Sequence, residues 1–142
     1  VPVNVQGSQS RNLPQMIDGA FGSHKQMIIF PAGLCSRKID GVIQDRAWTK
    51  TFIVKSKESK RAIVPVHFIG RNSNRFYFVA RLCTILKLKT NLAMFLLPDE
   101  FYKARNSKFT VIFGKPIPAE TFDNSRTPLE WASVVRKTVY KL

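Results

Sequence analysis

Acidic residues are scarce in this chain: 9 Asp and Glu stand against 23 Lys and Arg, leaving a formal net charge of +14 over 142 residues. A surface so short of carboxylates is unsuited to cationic partners and favours an anionic one, drawn in over long range and released by salt. Nucleic acid, anionic phospholipid and an acidic acyl carrier all meet that requirement, and so does a merely basic soluble surface. Cysteine is scarcer still. Cys35 and Cys83 have no paired spacing, so neither a disulfide framework nor a zinc motif can be built from them, and a reducing compartment is expected. Long apolar runs are also missing. The longest uncharged apolar stretch, Thr90 to Pro98, contains Asn91 and falls well short of the ~20 residues that a spanning helix needs. No secretory leader is visible.

What is present is ample apolar material, with 44% hydrophobic and 11% aromatic residues, enough for a folded domain with a real core. Apolar runs rich in β-branched residues predict strands at Val1–Val5, Gln26–Phe30, Ala62–Phe68 and Phe109–Phe113. Helices are predicted at Leu13–Phe21, Thr49–Ser59, Asn74–Lys89, Pro98–Arg105 and Pro128–Tyr140. The last opens on Thr127 as N-cap with Glu130 three residues on, the pattern of a capping box. Strands that are continuously apolar and separated by long crossovers predict an α/β layered fold, a mostly parallel sheet flanked by helices. No repeat, low-complexity tract or shift in composition divides residues 1–142.

The segment with most chemical content is Phe30-Pro31-Ala32-Gly33-Leu34-Cys35-Ser36-Arg37-Lys38, which closes the apolar run Gln26–Phe30. A strand that ends in a Pro/Gly loop followed by cations makes an anion-binding rim, since ligands of open α/β sheets bind beyond the carboxyl ends of strands. Pro31 and Gly33 would shape the turn so that backbone N–H groups approach an anion, and the Ser36 hydroxyl can bond a phosphate or carboxylate. A second segment, Ile63-Val64-Pro65-Val66, follows one helix later.

The first segment resembles the Phe-Pro-Glu-Gly-Thr-Arg-Ser motif of the glycerolipid and lysophospholipid acyltransferase family, and the second resembles that family's later Val-Pro-Val motif. Phe109-Thr110-Val111-Ile112-Phe113-Gly114-Lys115-Pro116-Ile117-Pro118 is similar to its final strand and Gly-Lys-Pro turn. The resemblance implies an O-acyltransferase that moves a fatty acyl group from acyl-CoA or an acyl carrier protein to the hydroxyl of a lyso-lipid in membrane lipid synthesis. On that footing Phe30, Pro31, Gly33, Ser36, Arg37 and Lys38 hold the acceptor, with Arg11 matching loosely a further acceptor-binding Arg. Val64, Pro65 and Val66 would shape the donor side of the cleft. No cofactor or metal is implied. The expected location is cytoplasmic, peripheral to the inner face of the membrane, with an anionic membrane surface as a partner.

Three departures set this chain apart: Ala32 stands where the motif has Glu, Leu34 where it has Thr, and Cys35 where it has Arg. Arg37 and Lys38 can restore the missing cation, and an acceptor other than a plain glycerol phosphate, such as an acylated amino acid, is expected of this variant branch. The family's catalytic His-x4-Asp is missing, because His24 has Ile29 at that offset and His67 has Asn72. The chain is therefore expected to be the C-terminal portion of a single acyltransferase domain, inactive alone, with His and Asp upstream. A fold truncated in this way would expose a face open to dimerisation.

Two competing readings come from the residues themselves. A basic nucleic-acid-binding module would neutralise phosphates with Lys and Arg and stack bases on Phe76, Tyr77 and Phe78. It accounts for the charge but not for the Phe-Pro-x-Gly segment, so nucleic acid is not expected as the partner. Alternatively Cys35 is a nucleophile, but neither His24 nor His67 is assignable as its base. His67, alone on an apolar strand, has the pattern of a core residue.

Overall fold

A computed structural model describes residues 11–88 and 90–142, so the strand predicted at Val1–Val5 lies outside the described residues. Helix α1 spans Leu13–Gly22, with Pro14 in its first turn, where a missing N–H costs nothing. Strands β1, Arg37–Ile39, and β2, Val42–Gln44, form an antiparallel hairpin joined by Asp40 and Gly41. Helix α2, Thr51–Ser59, ends at Lys60 in the left-handed region, and β3 covers Val66–Ile69. Helix α3, Asn74–Ile85, is followed by a 3₁₀ turn at Leu92–Leu96, helix α4 at Leu97–Lys103 and a second 3₁₀ turn at Ala104–Asn106. Strand β4, Thr110–Phe113, a 3₁₀ turn at Ala119–Thr121 and helix α5, Pro128–Val139, complete the order.

The five predicted helices are present, with boundaries shifted by a few residues. The sheet differs. Among the described residues there are two separate two-stranded antiparallel sheets, β1 with β2 and β3 with β4, and no parallel pair is formed. The run Gln26–Phe30 is not a strand: no neighbour pairs with its backbone, and Ile28 and Phe30 are 86% and 81% exposed. A continuously apolar run reads as a strand only when a neighbour supplies the ladder bonds, and this one has none.

Two apolar clusters hold the described residues together. In the first, Phe52 and Ile53 of α2 meet Trp131, Ala132 and Val135 of α5, with Phe122 between and Trp48, Ile63 and Ile117 around them. The second joins Phe76, Tyr77 and Ala80 of α3 to Ala93 of the 3₁₀ turn, with Cys35 and Ile43 packed against it. It is this second cluster that seats the hairpin beside α3.

Polar contacts fix the helix ends. Ser73 caps α3 by accepting the N–H of Phe76 at 3.2 Å, and the buried Glu100 carboxylate accepts the Ser73 N–H and hydroxyl, both at 2.5 Å. The α5 capping box forms as predicted, Thr127 and Glu130 bonding each other's backbone N–H groups.

Sheet β3–β4 is bare on one face, where Val66, Phe68, Val111 and Phe113 are each 42% exposed or more. Phe109 stacks on Phe68 with centroids 5.4 Å apart.

Candidate acceptor-binding loop

The loop begins with a tight turn in which the Gly33 N–H donates to the Phe30 carbonyl at 3.0 Å. Proline at the second position of such a turn and glycine at the fourth are what its backbone prefers, because proline presets φ and glycine lets the chain leave with φ positive. Gly33 indeed has φ +68°. The Thr49 N–H donates to the Pro31 carbonyl at 3.0 Å, which ties the turn to the residues leading into α2. Phe30 remains exposed at its start.

Beyond the turn the predicted residues diverge. Ser36 faces α3: its hydroxyl lies 3.1 Å from the Tyr77 hydroxyl, which also accepts the Asn72 N–H at 3.2 Å. The Arg37 guanidinium folds back over its own backbone, donating to the carbonyls of Cys35 at 2.7 Å and Ser36 at 3.1 Å, 5.9 Å from the Phe76 ring centroid. Lys38 is exposed on β1 opposite Ile43. Arg37 therefore shapes the loop, and Lys38 presents its charge to solvent. Arg11 is exposed in the turn before α1.

Val64 and Val66 are partly exposed, whereas Pro65 is buried. Its carbonyl accepts the Gly114 N–H at 2.8 Å, and Ile63 and Ile117 exchange backbone bonds of 2.9 and 2.8 Å. The Val-Pro-Val and Gly-Lys-Pro segments thus meet side by side. A Cβ on Gly114 would lie 3.4 Å from Pro65, an ordinary contact, and 3.0 Å from the tip of the Leu142 side chain, which would have to give by a few tenths of an ångström. Arg61 is the connection that the sequence reading missed. Its guanidinium donates to the carbonyls of Phe21 at 3.2 Å, Ser23 at 2.8 Å and Lys25 at 2.6 Å, holding the run that leads to Phe30 against the start of the Val-Pro-Val segment.

Behind the hairpin, Val42, Ile43, Gln44, Arg136, Lys137 and Tyr140 line a cavity of ≈ 270 Å³. Arg136 donates to the Gln44 side-chain oxygen at 3.1 Å and the Asp45 carbonyl at 2.8 Å, which locks α5 to the hairpin. The His67 ring packs against Tyr140 with centroids 5.7 Å apart, and its Nδ1 is buried without a partner among the described residues. Cys35 is half-buried against the α3 cluster and Cys83 is buried. Phe76 and Tyr77 are buried, so of the three aromatics proposed to stack on bases only Phe78 is exposed. Among the described residues no group of three or more His, Cys, Asp or Glu is placed to hold a metal. No helix among them is long and apolar enough to cross a membrane.

Residues 1–142 match the profile of a family described as "Acyltransferase". A protein of Bacteroides thetaiotaomicron named lyso-glycine lipid O-acyltransferase is 55% identical over 142 residues, which is 100% of this chain and 52% of that relative. A protein of Phocaeicola vulgatus with the same name is 51% identical over 142 residues, again 100% of this chain and 51% of the relative. The chain thus spans about half the length of the curated relatives it matches. No solved structure gives a significant match.

Proposed function

Because the chain belongs to the acyltransferase family whose profile it matches from end to end, we propose that it is the acceptor-handling part of an O-acyltransferase acting on an amino-acid lyso-lipid. In this reading a histidine oriented by an aspartate, both outside this chain, takes the proton of the acceptor hydroxyl as general base. The hydroxyl oxygen attacks the thioester carbonyl of acyl-CoA or an acyl carrier protein. The C–S bond then breaks, and the thiol leaves with the proton as the new ester forms. The residues of this chain bind and orient the acceptor while that happens. The work takes place at the cytoplasmic face of a membrane. The chain alone does not turn over.

One observation carries the choice of acceptor: the turn Phe30–Gly33 presents Ala32 instead of a carboxylate, and the strand it leads into brings Lys38 to solvent. The relatives are named for a lyso-glycine lipid, and an acceptor of that kind with a free glycine carboxylate would be repelled by an acidic side chain in that turn and attracted by the lysine. The test is acyl transfer by the full-length protein to lyso-glycine lipid and to lysophosphatidic acid. Wild type is expected to prefer the glycine lipid, and Ala32→Glu to cut that preference by about tenfold. A wild-type preference for lysophosphatidic acid that Ala32→Glu leaves unchanged would overturn the reading.

A further inference from the structure

Helix α3 carries apolar side chains on two opposite sides. Phe76, Ala80 and Cys83 turn inward and are buried. On the opposite side Phe78, Leu82 and Ile85, spaced four and three residues apart, form a stripe that is 68%, 41% and 63% exposed. Leu86, in the turn that ends the helix, continues it at 57% exposure, and on the packed 3₁₀ turn Phe95 is 75% exposed. Arg75 and Arg81 stand three residues to either side of Phe78, and Lys87 follows Leu86. Asp99 reaches Arg75 at 3.8 Å and is itself bonded to Lys103 at 2.7 Å, so this pairing leaves the cations of the surface in excess.

We propose that this outer face of α3 is a docking surface for an anionic lipid bilayer, with Phe78, Ile85 and Leu86 entering the headgroup region while Arg75, Arg81 and Lys87 reach lipid phosphates. An apolar stripe bordered by long cationic side chains is what an interfacial helix presents, because the stems can lie along hydrocarbon while the charges stay among the headgroups. The bare face of sheet β3–β4 contrasts with it. Val66, Phe68, Val111 and Phe113 are just as apolar, yet neither strand carries a Lys or Arg within it, and Arg71, Lys108 and Lys115 lie beyond the strand ends. A chain of net charge +14 adds long-range attraction to the same surface. The inference goes beyond acyl transfer and stands without it, since it names how the protein reaches a lipid surface and not what it does there.

Co-sedimentation with vesicles of equimolar phosphatidylcholine and phosphatidylglycerol, against vesicles of phosphatidylcholine alone, tests the surface directly. The protein is expected to sediment with the anionic vesicles and to be released by added salt. Phe78→Ser with Ile85→Ser should weaken binding by roughly a hundredfold, and Arg81→Gln with Lys87→Gln by roughly tenfold or more. Val111→Ser with Phe113→Ser, on the bare sheet face, should leave binding unchanged, and circular dichroism confirms that each variant is folded. The proposal fails if wild type does not sediment, if the α3 variants bind like wild type, or if the sheet-face variant is the one that loses binding. Intact acyl transfer to detergent-dispersed lyso-lipid alongside such a failure would leave the enzymatic reading standing.

Discussion

Arg37 and Lys38 are neighbours in sequence with different fates, and the difference decides what each contributes. The first spends its guanidinium on two carbonyls of its own loop, while the second is exposed on β1. Arg37→Ala is therefore expected to destabilise the protein by about 1–2 kcal/mol, read as a lower midpoint in urea, because it removes two hydrogen bonds from a charged donor. Lys38→Ala should leave that midpoint unchanged and raise the acceptor KM about two- to fivefold, the scale of an exposed charge contact. Equal effects of the two changes on KM, with no effect on stability from either, would show that both side chains meet the acceptor. The sequence named both residues, but it could not show that one would turn back on its own backbone.

The elements themselves were largely legible. The α5 capping box could be read from Thr127 and Glu130 alone, and it has a pH signature. Hydrogen bonds from the Thr127 hydroxyl and backbone hold the Glu130 carboxyl below the usual range for Glu, with desolvation opposing and Arg126 adding a smaller favourable field. A carboxyl whose folded pKa is depressed gives stability that is present above its unfolded value and lost as the pH falls through the folded one. Unfolding midpoints should therefore drop on acidification below about pH 4.5, and Glu130→Gln should flatten that part of the profile. An identical acid limb in the variant would show that other carboxylates carry it.

The β1–β2 hairpin was missed, although Asp40-Gly41 between apolar residues is a turn signal. Both residues have positive φ, 48° and 83°, as that turn requires. Gln26–Phe30 was read as a strand for its composition, yet strand pairing depends on a neighbour that no local pattern specifies. Arg61 was passed over because nothing local in the sequence marks a side chain that reaches carbonyls some forty residues away.

At the scale of the molecule, three segments singled out by resemblance end up in two places. Val64–Val66 and Gly114–Pro116 lie against one another through the Pro65–Gly114 bond, and Phe30–Ser36 is held between the lead into α2 and the α3 cluster. Arg61 links the two regions by gripping the backbone that leads to Phe30. Among the described residues the arrangement supplies a shaped loop and a lysine exposed on β1 but no assignable general base, which is why the acceptor role is proposed for this chain and the proton transfer for residues outside it. The most direct measurement is transfer of a radiolabelled acyl group from acyl-CoA or acyl carrier protein to lyso-glycine lipid, with the product resolved by chromatography and mass spectrometry. The full-length protein should yield the O-acylated lipid, and the 142-residue chain should yield none. Product formed by the 142-residue chain alone, or no product from the full-length protein with any lyso-lipid, would contradict the account.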